Sequence, residues 1–435
     1  MANGKINHKE LYKKSGLVIP FMLLGLVGLF STGCSQNEHQ SQSEEVQKTR
    51  QKENSRQPRH YQVIQYTPFY KFNQAIEHQA STDKASVTNT PLIMMHVNKG
   101  DYKNALRRLY QGQPSVKVLQ KQVAAIKARY RTTPAVDYIV KEAQKHQFVI
   151  INEIHESSLH RVFTKSLLKK LRAKGYQHLG LETLNLSPQD IAKLNERKYP
   201  MLSDGTYIPD PQFGDMVRYA LKLGYRVFAY DVGQGDREKL AAENVVKEMA
   251  PYSEGKCVIH CGINHAFEGV IDWGKSLAAH LTEFTGHNPL TVSQTAYMET
   301  DQIAKNPAVL QALDLQESSV LLDEQNKPIP QQWKKGHIDL VVVHPPTTYE
   351  NNRPVWLFQG ENQKVTLKLN DLALAFPVML LAYCQGEDVQ KAVPMDIVEV
   401  AQKDQTVCLA LRKGGYQIVV VNAQSQARKF SLRVE

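Results

Sequence analysis

From Phe148 onward the chain alternates short apolar runs with stretches whose apolar residues recur at helical spacing, the pattern of buried parallel strands joined by amphipathic crossovers. Runs at 148–151, 178–181, 226–230, 257–261, 290–293 and 340–343 predict six strands. Val162, Phe163, Leu167, Leu168 and Leu171 form one stripe of a helix over 159–173, opened by Ser158 and stopped by Gly175. Further helices are predicted over 213–223, ended by Gly224; over 237–249, capped by Asp236; and over 274–284. The segment with Pro200, Pro209 and Pro211 reads as loop, and the Gln-, Asp- and Pro-rich stretch before 340 as a long excursion. Helical text at 103–111 and 119–130 precedes the sheet. After Leu357 the helical spacing disappears. Runs at 365–369, 378–383, 397–400, 407–411, 416–421 and 429–434, separated by Gly386, Pro394, Asp404, Gly414 and Gly415, predict a small β-sandwich. The expected fold class is therefore α/β: a mostly parallel sheet covered by helices over 61–357, then an all-β sandwich over 358–435.

The N-terminus is of another kind. Lys5, Lys9, Lys13 and Lys14 precede an apolar run over 17–30, which leads to Ser31, Thr32, Gly33 and Cys34. Charged, apolar, small is the order of a secretory signal. The run falls short of the roughly 20 residues a transmembrane helix needs, and Pro20, Gly25 and Gly28 interrupt it, so cleavage is expected rather than spanning. The small pair before a lone cysteine resembles a bacterial lipoprotein signal, which implies removal of 1–33 and acylation of Cys34. Residues 34–60 are mostly Gln, Glu, Ser, Lys and Arg and read as a solvated tether.

At 42% hydrophobic and 22% charged, the 435-residue chain must bury a core, which excludes a disordered protein. Of the formal net charge of +10, the expected signal carries +3; the mild remainder argues against a nucleic-acid partner. The partners expected are a membrane, through the N-terminal lipid, and a small-molecule or peptide substrate. The location expected is the bacterial cell envelope, outside the cytoplasm. Thiols can oxidise there. Cys257, Cys261, Cys384 and Cys408 allow three pairings that the sequence does not rank; Cys384 with Cys408, both in strand-like text, is one that fits, while Cys257 and Cys261 read as buried thiols.

Chemistry collects at the strand ends. The first strand ends in Asn152, Glu153, Ile154, His155 and Glu156, the second in Glu182, the third in Asp231, and the fourth is followed after a short turn by His265. In an open parallel sheet the carboxyl ends of the strands form the rim of the ligand crevice. Glu153 and His155, two apart, project to one face, and His160 starts the next helix near the same mouth. Such a group admits two readings. A carboxylate can fix the tautomer of an imidazole that acts as general base on water. Alternatively His155, Glu182 and His265 can hold a divalent metal ion. Arg237, in the first turn of a helix where a cation is unfavourable, needs a partner such as Glu182 or an anionic substrate group. Asp231 either joins the site or ends its strand. The turn from Asp231 to Asp236 lacks the third glycine of a dinucleotide fingerprint. His155 and His160 lack the i, i+4 spacing of a zinc protease helix, and His260, within its strand, reads as core.

The stretch from Asn152 to Arg161, with Glu153, His155 and His160, resembles the opening motif of the superfamily that joins erythromycin-esterase-like hydrolases, ChaN-like haem-binding lipoproteins and the TraB/Tiki metalloproteases. Leu179-Gly-Leu-Glu182, the run Asp236-Arg237…Leu240-Ala241…Asn244, and His260-Cys-Gly-Ile-Asn264-His265 are similar to its later motifs, and Arg353-Pro-Val-Trp356 to the end of the ChaN-like domain. The two-residue step from Glu153 to His155 is that of the ChaN-like branch; Asn152 and Leu240 stand where the family has Gly and Met. The resemblance implies Glu153, His155, Glu182, Arg237 and His265 as the site. It also implies either ester or amide hydrolysis or the binding of haem or metal without catalysis.

Overall fold

Every residue of the strand Phe148–Glu153 is buried. Such a run must lie inside a sheet covered on both faces. The computed structural model describes residues 60–82, 90–182, 184, 187–252, 254–369 and 372–435; the expected signal, Cys34 and the tether up to residue 59 lie outside them. The strands that build the layers are β1 (Gln62–Ile64), β2 (Arg131–Pro134), β3 (Phe148–Glu153), β4 (Tyr176–Leu181), β5 (Arg226–Ala229), β6 (Lys256–Gly262), β7 (Leu290–Ser293), β8 (Ser319–Leu322), β9 (Leu340–Val343), β10 (Asn362–Leu367), β11 (Val378–Cys384), β12 (Asp396–Val400), β13 (Val407–Arg412), β14 (Gly414–Asn422) and β15 (Ala427–Val434). The helices are α1 (Asn73–Thr82), α2 (Thr90–Asn98), α3 (Tyr102–Leu109), α4 (Gln120–Arg129), α5 (Ala135–Ala143), α6 (Ser158–Arg172), α7 (Pro188–Arg197), α8 (Pro211–Lys222), α9 (Arg237–Met249), α10 (Leu277–Thr285) and α11 (Ala308–Ala312).

The fold is mixed α/β. An eight-stranded sheet runs β2-β8-β9-β7-β3-β6-β4-β5. The six strands read from the sequence are its parallel members, while β8 pairs antiparallel with both β9 and β2. Alternation within β3 divides the interior in two. Val149 and Ile151 pack with Leu179, Leu181, Phe163 and Leu167 on the face covered by α5, α6, α7 and α8. Phe148 and Ile150 pack with Cys257, Ile259, Val245 and Leu281 beneath α9 and α10. Helix α6 begins at Ser158, whose hydroxyl donates to Asp210 instead of capping. The segment read as loop before Pro211 contains α7, opened by the Ser187 side chain and a proline in its first turn. Strands β2 and β8 escaped notice because the first is an Arg-Thr-Thr-Pro edge strand and the second lies inside the Gln-, Asp- and Pro-rich stretch read as an excursion.

After Leu357 all strand pairing is antiparallel. β1-β15-β14-β11-β12 form one sheet and β10-β13 another. The two sheets share a core that includes Val365, Leu367, Leu380, Leu409, Ile418 and Val420. Arg218 of α8 donates two 2.7 Å bonds to Glu387, and Asp215 accepts 2.6 Å bonds from Lys165 and Arg412, joining this part to the helical layer. The Cys384–Cys408 bond that the sequence allows is not formed, and all four described cysteines are free. Their strands set them apart: Cys384 stands opposite Tyr416 and Cys408 opposite Thr366.

Candidate active site at the carboxyl rim of the sheet

Three adjacent strands, β3, β6 and β4, end at one rim, with Glu153 of β3 level with Gly262 of β6. Glu182 directly follows β4, and its backbone N–H donates to the carbonyl of His260 in β6 at 3.3 Å. The 3-10 turn Ile263–Ala266 that follows β6 carries His265. Local sequence thus fixes where the chain stops being apolar, and the parallel register brings those stops together.

Glu153 is 1% exposed and accepts four bonds. Arg161 donates Nε to Oε2 and Nη2 to Oε1, both at 2.8 Å; His260 Nε2 meets Oε2 at 2.7 Å, and His155 Nδ1 meets Oε1 at 2.9 Å. Burial alone would raise this carboxyl, but the charges of Arg161 and His260 and the imidazole bonds overcome it and hold it well below the usual carboxylate range. A carboxylate only accepts, so His155 carries its proton on Nδ1 and leaves Nε2 with a lone pair. Arg161 also donates Nη2 to the carbonyl of His155 and Nη1 to Asp210, each at 2.8 Å. Asp210 is buried, accepts from Ser158 and Tyr102, and caps α8 through the amide of Gln212.

The second carboxylate faces the mouth. Glu182 Oε1 lies 2.8 Å from Arg237 Nη2, 3.2 Å from His265 Nε2 and 4.0 Å from His155 Nε2, and Oε2 accepts from the Gly262 amide. Burial opposes its ionisation, yet the His265 charge and bond, together with the Arg237 charge, hold it far below the usual range. His265 Nδ1 lies 2.8 Å from Glu238 Oε1. Both nitrogens therefore face acceptor-only groups, and His265 is an imidazolium. Burial works against that charge, but Glu182 and Glu238 outweigh it and push the ring up to about 10. Arg237 completes the group through Asp231, with Nε and Nη2 donating at 2.8 and 2.7 Å. The His155 ring stacks on Tyr207 at 4.0 Å, and His265 stacks on the half-exposed Trp273 at 6.2 Å. A Cβ placed on Gly262 would come within 3.1 Å of both His155 Nε2 and Glu182 Oε2, so a hydrogen at that position keeps the space beside Nε2 open.

Of the residues read from the sequence, Glu153, His155, Glu182, His265, Arg237 and Asp231 are brought together. His160 is not. It is buried, takes the Ile154 amide on Nδ1 at 3.1 Å, and steadies the turn after β3; burial holds its ring neutral. Arg161, His260, Glu238, Asp210 and Tyr207 were missed as site residues. A buried histidine in an otherwise apolar strand, as at His260, was the available signal, since it needs a partner.

The rim does not fit the expected metal. Oε1 of Glu182 already meets a guanidinium and an imidazolium. Among the described residues, the group of three His, Asp or Glu whose ligand atoms lie within 4.8 Å of one another is elsewhere, at Glu268, His337 and Asp339. The haem expectation gains no support here either, because His155 has Tyr207 against its ring face and Glu182 near Nε2.

No family model and no curated protein matches the chain. Among solved structures, the type III effector HopBA1 is 16% identical with a TM-score of 0.29, covering 42% of this chain and 87% of that one. RRSP, a MARTX toxin effector domain from Vibrio vulnificus CMCP6, is 16% identical with a TM-score of 0.27, covering 43% and 41%. The C-terminal region of Pasteurella multocida toxin, described with a thiol-protease-like catalytic triad, is 10% identical with a TM-score of 0.27, covering 80% and 57%. Likenesses at this level assign no function.

Proposed function

We propose that this chain is a hydrolase that cleaves an ester or amide with His155 as general base. One observation carries the reading: the 2.9 Å bond between Glu153 and His155 Nδ1 directs the lone pair of Nε2 toward the cradle above Gly262. A water bound there gives its proton to Nε2 while its oxygen attacks the acyl carbon. The carbonyl electron pair moves onto oxygen. When the tetrahedral species collapses, the carbon–heteroatom bond breaks and His155 returns the proton to the leaving group. His265, whose pKa is far above neutrality, serves as a fixed positive charge rather than as the acid, and Arg237 adds a second cation at the mouth. Glu153 acts through His155 and is a positioning residue, as is Arg161.

The test uses purified protein with a panel of nitrophenyl esters and fluorogenic peptides. His155→Ala is expected to lower kcat by about 10²- to 10⁴-fold while leaving the thermal midpoint in place. An unchanged rate defeats the assignment.

The resemblance of 1–34 to a lipoprotein signal supports a lipid-anchored, extracytoplasmic version of this hydrolase. Metabolic labelling with a palmitate analogue should mark the wild type and not Cys34→Ala. Label on both, or on neither, defeats the anchor.

A further inference from the structure

A second cluster lies just past the turn that carries His265. Glu268 pairs through its backbone with His337, N–H to carbonyl at 2.7 Å and 2.9 Å, which locks the two residues side by side. Asp339 follows His337 at the two-residue step that returns to the same side of an extended chain, immediately before β9. Thr291 of β7 ties the acids together: its hydroxyl donates to Glu268 Oε1 at 2.8 Å, its amide donates to Asp339 Oδ2 at 3.1 Å, and its hydroxyl oxygen accepts the Asp339 amide at 2.9 Å. Backbone pairing and one threonine on the sheet therefore fix three side chains from two segments.

The spacing is that of ligands, not of a hydrogen-bonded ion pair. His337 Nε2 stands 4.0 Å from Glu268 Oε1 and 3.6 Å from Asp339 Oδ1, both beyond hydrogen-bond reach. Two atoms held about 2.1 Å from one ion at a tetrahedral angle are about 3.4 Å apart. All three ligand atoms fall within 4.8 Å of one another. Charge points the same way. Glu268 is 6% exposed and sits beside a second carboxylate, Asp339, the two joined through Thr291. Two adjoining acids faced by one imidazole lack positive charge, and a dication supplies it. His337, 42% exposed, leaves a route from solvent and room for a water ligand.

We infer that Glu268, His337 and Asp339 form a binding site for a divalent cation of the zinc class, with Thr291 orienting the two carboxylates. This differs from the rim, where the sequence placed a metal. An ion here fastens the end of the His265 turn to β7 and to the start of β9. The inference is independent of the hydrolytic reading.

Chelator-stripped full-length protein should be titrated with Zn²⁺ by calorimetry and by thermal shift. One equivalent is expected to bind and to raise the melting temperature. His337→Ala and Asp339→Asn, both at partly exposed side chains, should abolish binding with the melting temperature of the stripped protein unchanged. Thr291→Val should weaken binding by about 10- to 100-fold. His155→Ala and His265→Ala should bind as the wild type does. No binding by the wild type overturns the inference, and so does binding that survives in His337→Ala and Asp339→Asn but is lost in the two rim variants.

Discussion

Glu153 and Glu182 follow the same rule of position, each at the carboxyl end of a strand that flanks β6, yet they are held by different means. Glu153 is enclosed by Arg161, His260 and His155, with Arg161 and His260 almost wholly buried. Glu182 is held by a cation 41% exposed, an imidazolium and one backbone amide, beside the opening. The enclosed acid sets the direction of a base; the open one shapes the charge a ligand meets. Burial of the partner, more than the identity of the acid, separates scaffolding from contact.

The sharpest way to break this contrast is to remove the two arginines in turn. Arg161→Met leaves Glu153 and Asp210 buried without their shared cation, and urea unfolding should show a loss of about 3 to 5 kcal/mol. Arg237→Met, at a solvent-screened pair, should cost about 1 kcal/mol or less in the same measurement. Equal losses would abolish the distinction. A narrower probe is Gly262→Ala, which fills the space between His155 Nε2 and Glu182 Oε2. Here kcat should fall about 100-fold from displacement of the base, with stability little changed. A KM effect alone would move the cradle from chemistry to binding.

The smallest effect concerns pH. The folded pKa of His265 is raised to about 10 from an ordinary 6.5, so the folded state holds more protons than the unfolded between these values. Its contribution to stability is complete below pH 6.5 and fades as pH climbs toward 10. The depressed Glu153, Glu182 and Glu238 act oppositely: their contribution is present above the ordinary 4.5 and disappears on acidification. Glu238→Gln should flatten the alkaline decline in melting temperature and leave much of the acid limb. An alkaline limb unaltered by the substitution would show that His265 is not its source.

Much of this was legible because strand ends announce themselves. An apolar run that stops at a charged residue marks both the boundary and the rim, which is how Glu153, Glu182 and Asp231 were found, and the six parallel strands with them. The partners were hidden for a physical reason. Arg161 sits in the first turns of α6, where its neighbours in sequence give no hint that its guanidinium joins two distant acids. Glu238 looks like an ordinary acid at a helix N-terminus, favoured there by the dipole whatever else it does. His260 follows the core alternation of β6, and only the register with β3 reveals Glu153 beside it. Pairings across long separations depend on topology, and topology is absent from local text.

The short strand Gln62–Ile64 lies antiparallel against Ala427–Val434, so the first described strand is a neighbour of the last. A circularly permuted chain, with residue 62 joined to the end through a brief linker and new ends opened in a surface loop, should keep every contact of the rim. By the same token, shortening the protein at 357 strips that leading strand of its partner, and with it the β-sheet face on which Tyr66, Tyr70 and Phe72 rest.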